Sequence, residues 1–257
     1  MKYLIDTHCH IADQQYKQQE VIDIIKKCQQ ENIIICSMST NFEDFQQNLE
    51  YSKHDNVFIG FGIHPYEAHK IINTPNWQDI AIQTLKSKNP KIKFIGEVGL
   101  DFYKIQETKK EQIEVFEFFV NLAKDYTLPL SIHTRNAEEE TISILLKYQK
   151  YKPIKAIFHC FTSTQTNIVN KILENEWYFG FGGIITFKKS ENLRNTIKYI
   201  VRNNGKILLE TDSPYITPEP HRGKKNYPYY LKIIYQYLQD FLKQNDLEIK
   251  INEDIIM

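Results

Sequence analysis

The chain has 257 residues, 42% of them hydrophobic and 25% charged, a balance that fits a globular protein with a sizeable core and excludes a fibrous or disordered one. Lys plus Arg equals Asp plus Glu at 32 each, so overall charge neither favours nor excludes nucleic acid, and any anion site has to be a local patch. No stretch approaches the roughly 18 uninterrupted apolar residues of a membrane span. MKYLIDTHCH meets an Asp and two His before an apolar signal region forms, so no membrane association and a cytoplasmic location are expected, or a nuclear one in a eukaryote.

The first predicted strand, KYLIDTH (2–8), leads to a helix near 17–30, and IIICSM (33–38) to one near 41–53. VFIGFGIH (57–64) precedes a helix near 76–88, KFIGEVGL (93–100) one near 107–125, and LPLSIHT (128–134) one near 137–149. KAIFHCF (155–161) is followed by 164–175, WYFGFGGI (177–184) by 190–203, and KILLETD (206–212) by 228–244. The strands are continuous apolar runs, as expected when both faces are covered. Eight strand–helix units with right-handed crossovers predict an α/β protein of the (β/α)8 TIM barrel type. A doubly wound sheet would want a Gly-rich phosphate turn after an early strand, and none is present. No linker or low-complexity run divides the chain, so residues 1–257 read as one domain. The cysteines, Cys9, Cys28, Cys36 and Cys160, follow no zinc-ribbon or secreted spacing and read as reduced thiols.

Polar residues interrupt the apolar runs at their C-terminal ends, the rim on which barrels build active sites. They are His8, His10, His64, Glu97, His133, His159 and Asp212; five of the eight histidines end a strand, and His54, His69 and His221 lie elsewhere. Alternation along a strand puts His8 and His10 on one face, roughly 6–7 Å apart, with Cys9 pointing away. Singly, each has a bland reading. A lone strand-end His is commonly bonded to a backbone carbonyl, and Asp212 in ETDSP suits a turn or helix cap. Glu97 is harder to dismiss, because a buried carboxylate needs a partner charge or a metal. Taken jointly, imidazole nitrogens and carboxylate oxygens suit Zn²⁺, Mn²⁺ or Fe²⁺, and a carboxylate can bridge two ions at about 3.5–4 Å, the spacing used on phosphate esters. Asp212 is placed both to ligate and to accept the proton of an attacking water.

LIDTHCH, GIHP (62–65), GEVGLDFY (96–103), IHTRNA (132–137), FHCF (158–161) and ETDSPYITPEPHRGKKN (210–226) occur in this order, and together they closely resemble the TatD family of metal-dependent deoxyribonucleases, within the amidohydrolase-like barrels. The resemblance runs from residue 4 to about 245. It implies two divalent ions (Zn, Mg or Mn), one held by His8, His10, Glu97 and Asp212, the other by Glu97, His133 and His159, with Glu97 as the bridge. Glu where many amidohydrolases use a carbamylated lysine points to the nuclease branch. His64 would face the substrate phosphate and Asp212 would be the proton acceptor. Arg135 reads equally as a bidentate phosphate ligand or as a rim salt bridge. His221, Arg222 and Lys224, with Lys225, read as a patch that tracks a DNA backbone or as a solvated charge run. Of the nearby aromatics, Phe102, Tyr103, Phe161 and Tyr215 are the ones suited to stack on an unpaired base. The implied reaction is phosphodiester hydrolysis with DNA as substrate, as 3′–5′ trimming of single-stranded or frayed ends; the sequence leaves the oligomeric state open, and a monomer is compatible with it. The alternatives are a related amidohydrolase acting on an ester, lactone or amide, and a catalytically silent nucleic-acid-binding barrel. Family members usually continue past the last barrel helix, whereas this chain ends in LEIKINEDIIM, so a shortened final segment is expected.

Overall fold

The computed structural model describes residues 3–103, 108–150, 152–248, 250, 251 and 255; residues 2 and 107 of the predicted elements lie outside them. Eight strands form one sheet in the order β1 to β8: β1 (Leu4–Cys9), β2 (Ile33–Met38), β3 (Val57–Phe61), β4 (Ile92–Asp101), β5 (Leu130–Arg135), β6 (Ala156–Phe158), β7 (Tyr178–Phe181) and β8 (Lys206–Leu209). Between them come α1 (Gln18–Gln30), α2 (Phe42–Tyr51), α3 (Ala68–Ile72), α4 (Trp77–Lys86), α5 (Lys109–Tyr126), α6 (Glu138–Gln149), α7 (Thr166–Glu174) and α8 (Glu191–Arg202), and α9 (Leu231–Lys243) follows β8. The pairs β1–β2, β3–β4, β4–β5 and β7–β8 are parallel. This is the (β/α)8 barrel, and the unreversed strand order removes the doubly wound rival, which requires a switch point. Among the described residues no helix is long and apolar enough to cross a membrane.

The chain forms two compact units: Met1–Ser37 with Lys53–Val57 and Phe158–Met257, and Met38–Ser52 with Phe58–Ile157. In the first, Trp177, Phe158, Phe179 and Phe181 are fully buried, and Phe161 packs edge-on against Phe179 with ring centroids 5.0 Å apart. In the second, Phe61 meets Phe45 at 4.6 Å and Phe119 at 5.8 Å. Each such ring contributes about 1.5–3 kcal/mol by leaving water.

Two departures from regular pairing fall beside expected site residues. The register of β1 against β2 shifts between Asp6 and Cys9, the stretch holding His8. That of β4 against β5 shifts between Ile95 and Val98, the stretch holding Glu97. Such bulges re-aim side chains at the ends of strands. The predicted strands also run too far at their C-terminal ends: β3 stops at Phe61, β6 at Phe158, β7 at Phe181 and β8 at Leu209, so His64, His159 and Asp212 stand on the loops that follow. His10 likewise lies just past β1, which stops at Cys9, so the expectation that His10, His64, His159 and Asp212 end strands is corrected accordingly.

Candidate metal centre

Each compact unit gathers part of the expected constellation. In the first, His8 and His10 bring their Nε2 atoms within 3.1 Å of each other. Asp212 Oδ1 lies 3.4 Å from His10 Nε2 and 3.9 Å from His8 Nε2. The His159 ring stacks on that of His8, centroids 3.8 Å apart. The three imidazoles are buried and the Asp212 side chain nearly so, and His8, His159 and Asp212 offer ligand atoms within 4.8 Å of one another. Hydrogen bonds position them, for Asp212 N–H donates to the His8 carbonyl and His10 N–H to that of Ser213. Asp212 sits at φ +53°, a left-handed conformation that Asp tolerates better than most residues and that costs about 1–2 kcal/mol.

Burial, the largest influence on Asp212, raises its pKa, but the His10 hydrogen bond and the imidazoles of His159, His10 and His8 outweigh it and leave the carboxyl below its ordinary value. It is an anion at neutral pH. Two ring nitrogens facing at 3.1 Å cannot both point lone pairs at each other, so a proton or a cation belongs between them. Nitrogen donors beside a buried carboxylate are a set that fits a divalent transition ion.

In the second unit Glu97, 3% exposed, places Oε1 3.0 Å from His133 Nδ1 and 3.5 Å from His64 Nε2. These three also offer ligand atoms within 4.8 Å of one another. His64 Nδ1 accepts the Tyr66 amide proton at 3.1 Å and so caps the short 3-10 turn Pro65–Glu67. The other nitrogen of His133, Nε2, lies 3.1 Å from Asp101 Oδ2, which also accepts from the Tyr66 hydroxyl at 2.9 Å. Burial is the largest influence on Asp101 and raises its pKa, yet hydrogen bonds from His133, Tyr66 and the Tyr103 amide hold it well below the usual carboxylate range. The His133 ring is thereby clamped between two carboxylates.

Sequence reasoning passed over Asp101 and Glu210, both fully buried. Each lies inside a motif already singled out, GEVGLDFY or ETDSP, and the available signal was a second carboxylate in an apolar run that needs a donor of its own.

The expected substrate contacts are distributed differently. Arg135, exposed at the end of β5, stands 3.9 Å over the Tyr103 ring, and Tyr103 is 56% exposed. His221 stacks on Tyr230 at 4.6 Å, Arg222 lies 4.1 Å from the Phe187 ring centroid, and Lys224 is exposed. Phe161 is buried against Phe179 and is removed from the base-stacking candidates, whereas Tyr215 remains accessible. Lys225 binds both Glu20 carboxylate oxygens at 2.8 and 2.9 Å and the Gln15 carbonyl at 2.9 Å, which ties the HRGKKN loop to α1. The Lys225 hydrogen bond is the main cause of a lowered Glu20 pKa. A depressed folded-state value means stability that is present above the unfolded carboxylate's pKa and disappears as pH falls through the folded one. Lys225→Met should therefore destabilise by about 0.5–1 kcal/mol at pH 7. Urea midpoints should show that difference shrinking as pH falls below the ordinary glutamate value.

A barrel of this order with histidine–carboxylate groups at its strand ends and on the loops that follow them has the architecture of a metal-dependent hydrolase. The chain belongs to the TatD-related DNase family, which it matches over residues 5–252. It is 35% identical over 255 residues to an uncharacterized metal-dependent hydrolase of Buchnera aphidicola subsp. Acyrthosiphon pisum, covering 95% of this chain and 93% of that one. It is 30% identical to the uncharacterized metal-dependent hydrolase YcfH of Escherichia coli K12, over 92% of this chain and 87% of the relative. In fold it resembles YjjV, a TatD homologue from E. coli K12, with a TM-score of 0.83 at 21% identity across 98% of this chain and 93% of the other.

Proposed function

We propose that this protein is a metal-dependent deoxyribonuclease that trims single-stranded or frayed DNA from the 3′ end in the cytoplasm, as a monomer with residues 1–257 forming one catalytic domain. The observation that carries the reading is the pair of buried to half-buried His–carboxylate groups, one in each compact unit. In the proposed assignment His8, His10, Glu97 and Asp212 would hold one divalent ion (Zn, Mg or Mn) and His133, His159 and Glu97 the other, with Glu97 common to both sets. The ions supply Lewis acidity and make water nucleophilic near neutral pH.

This chain's own groups do the rest. Asp212, kept anionic by its histidine neighbours, accepts the proton of the attacking water. Because the Tyr66 amide occupies His64 Nδ1, the proton of His64 belongs on Nε2, a donor suited to a phosphate oxygen rather than a cation ligand. His64→Ala should accordingly keep its metal, measured by elemental analysis, while losing about 10²-fold or more in hydrolysis; loss of metal would move His64 into the ligand set. Arg135 on Tyr103 offers a cation and an exposed ring side by side for phosphate and base. Arg222 and Lys224 are exposed, and with His221 they are proposed to follow the strand's backbone.

The test is to incubate the metal-loaded protein with 3′- and 5′-end-labelled single-stranded DNA and, in parallel, with ester and lactone substrates. Release of mononucleotides from the 3′ end supports the proposal. Turnover of the small esters with intact DNA would place the protein among the other metal-dependent amidohydrolases.

A further inference from the structure

Glu210 directly follows β8 and is fully buried. Its Oε1 accepts the Cys160 amide proton at 2.5 Å and lies 3.6 Å from Nδ1 of His159. Its Oε2 has no hydrogen-bond partner among the described residues. Room for that oxygen comes from Gly180 of β7, where a Cβ would stand 2.3 Å from Oε2. Cys160 itself is at φ +46°, a strained conformation for a residue with a side chain, and its amide is the group the carboxylate holds. So the chain places a carboxylate behind a histidine, hollows the neighbouring strand to fit it, and bends the backbone next to that histidine toward it.

Glu210 Oε1 acts as an acceptor, since the Cys160 amide donates to it, so a further group facing that oxygen is best matched if it donates. The amide of Cys160 does so at 2.5 Å, and Nδ1 of His159, 3.6 Å away, can turn a proton toward Oε1 in one of its two neutral tautomers. We propose that Glu210 is a positioning residue for His159, holding the ring with its proton on Nδ1 so that Nε2 is the nitrogen presented beside His8 and Asp212. This rests on the reading of His159 as a metal ligand. A carboxylate behind a ligating histidine fixes the ring and raises its basicity, and losing such a partner typically weakens cation binding tenfold to a hundredfold. No positional information of this kind is needed if Glu210 merely fills space.

Two measurements on the full chain test it. Long-range ¹⁵N spectra of the metal-free protein, with His159 assigned from His159→Ala, should show the Nδ1-protonated tautomer; a ring protonated on Nε2 alone overturns the proposal. Calorimetric titration with Mn²⁺ should show binding weakened tenfold to a hundredfold in Glu210→Gln, with the His159 ring signals moving toward a tautomer mixture. Wild-type binding and unchanged signals in that variant overturn the proposal even if its thermal midpoint falls. Should Glu210→Gln not fold, the wild-type tautomer alone decides. Failure of the underlying reading looks different, because His159→Ala would then bind Mn²⁺ as well as the wild type does.

Discussion

Glu97→Ala should bring hydrolysis down to background, a loss on the order of 10⁴-fold, and should lower metal content at both proposed positions. Oε1 of Glu97 faces His133 and His64 at 3.0 and 3.5 Å, and the residue is nearly inaccessible. Its removal takes from that unit the anion that balances two imidazoles, and it cannot be replaced by bulk water without opening the core. Glu97→Gln keeps the shape and removes the charge, so it separates packing from electrostatics. Elemental analysis beside a nuclease assay reads both. Full activity in the alanine variant would rule out the bridging role.

The second large effect is expected in β4, at Gly99→Ala. Gly99 has φ +144°, and a Cβ there would stand 1.9 Å from the carbonyl oxygen of His133, its register partner on β5. Both the backbone conformation and the close approach exclude a side chain. A loss of about 3 kcal/mol or more follows. That corresponds to a thermal midpoint lower by roughly 6–12 °C. Because the strain falls on the backbone of His133, cation binding should weaken in parallel. A variant within about 0.5 kcal/mol of the wild type would mean that β4 and β5 do not approach this closely at Gly99.

Much of this molecule was legible in the order of its residues. The periodic segments were found because apolar runs and helical stripes are set by burial, and Ile33–Met38 matches its prediction in full. What was not legible was where a strand stops. An apolar run such as WYFGFGGI continues past its last ladder bond, since a buried loop is as hydrophobic as a buried strand, and β7 ends at Phe181. The helix Ala68–Ile72 is too short to show a period. The site's histidines announced themselves by their place after apolar runs, but Asp101 and Glu210 did not, because a supporting carboxylate is defined by which ring it touches. The HRGKKN loop looked like an open basic patch, yet His221 and Arg222 rest on aromatic rings and Lys225 on Glu20, partners that no spacing rule connects.

The joins between the beginning of the chain and β8 carry a consequence for biosynthesis. Asp6 accepts from the Thr211 amide and hydroxyl at 2.8 and 2.6 Å across a separation of 205 residues, and Thr7 donates to the Leu209 carbonyl at 2.9 Å. A ribosome adding roughly 5–20 residues per second leaves His8 and His10 without Asp212 for something like 10–40 seconds. Over that interval the nascent polypeptide has no complete pocket in this half with which to compete for trace cations. On the proposed assignment the group of His8, His159 and Asp212 is therefore complete only after β8 has been made, so a cation held by it would be taken up by the finished chain.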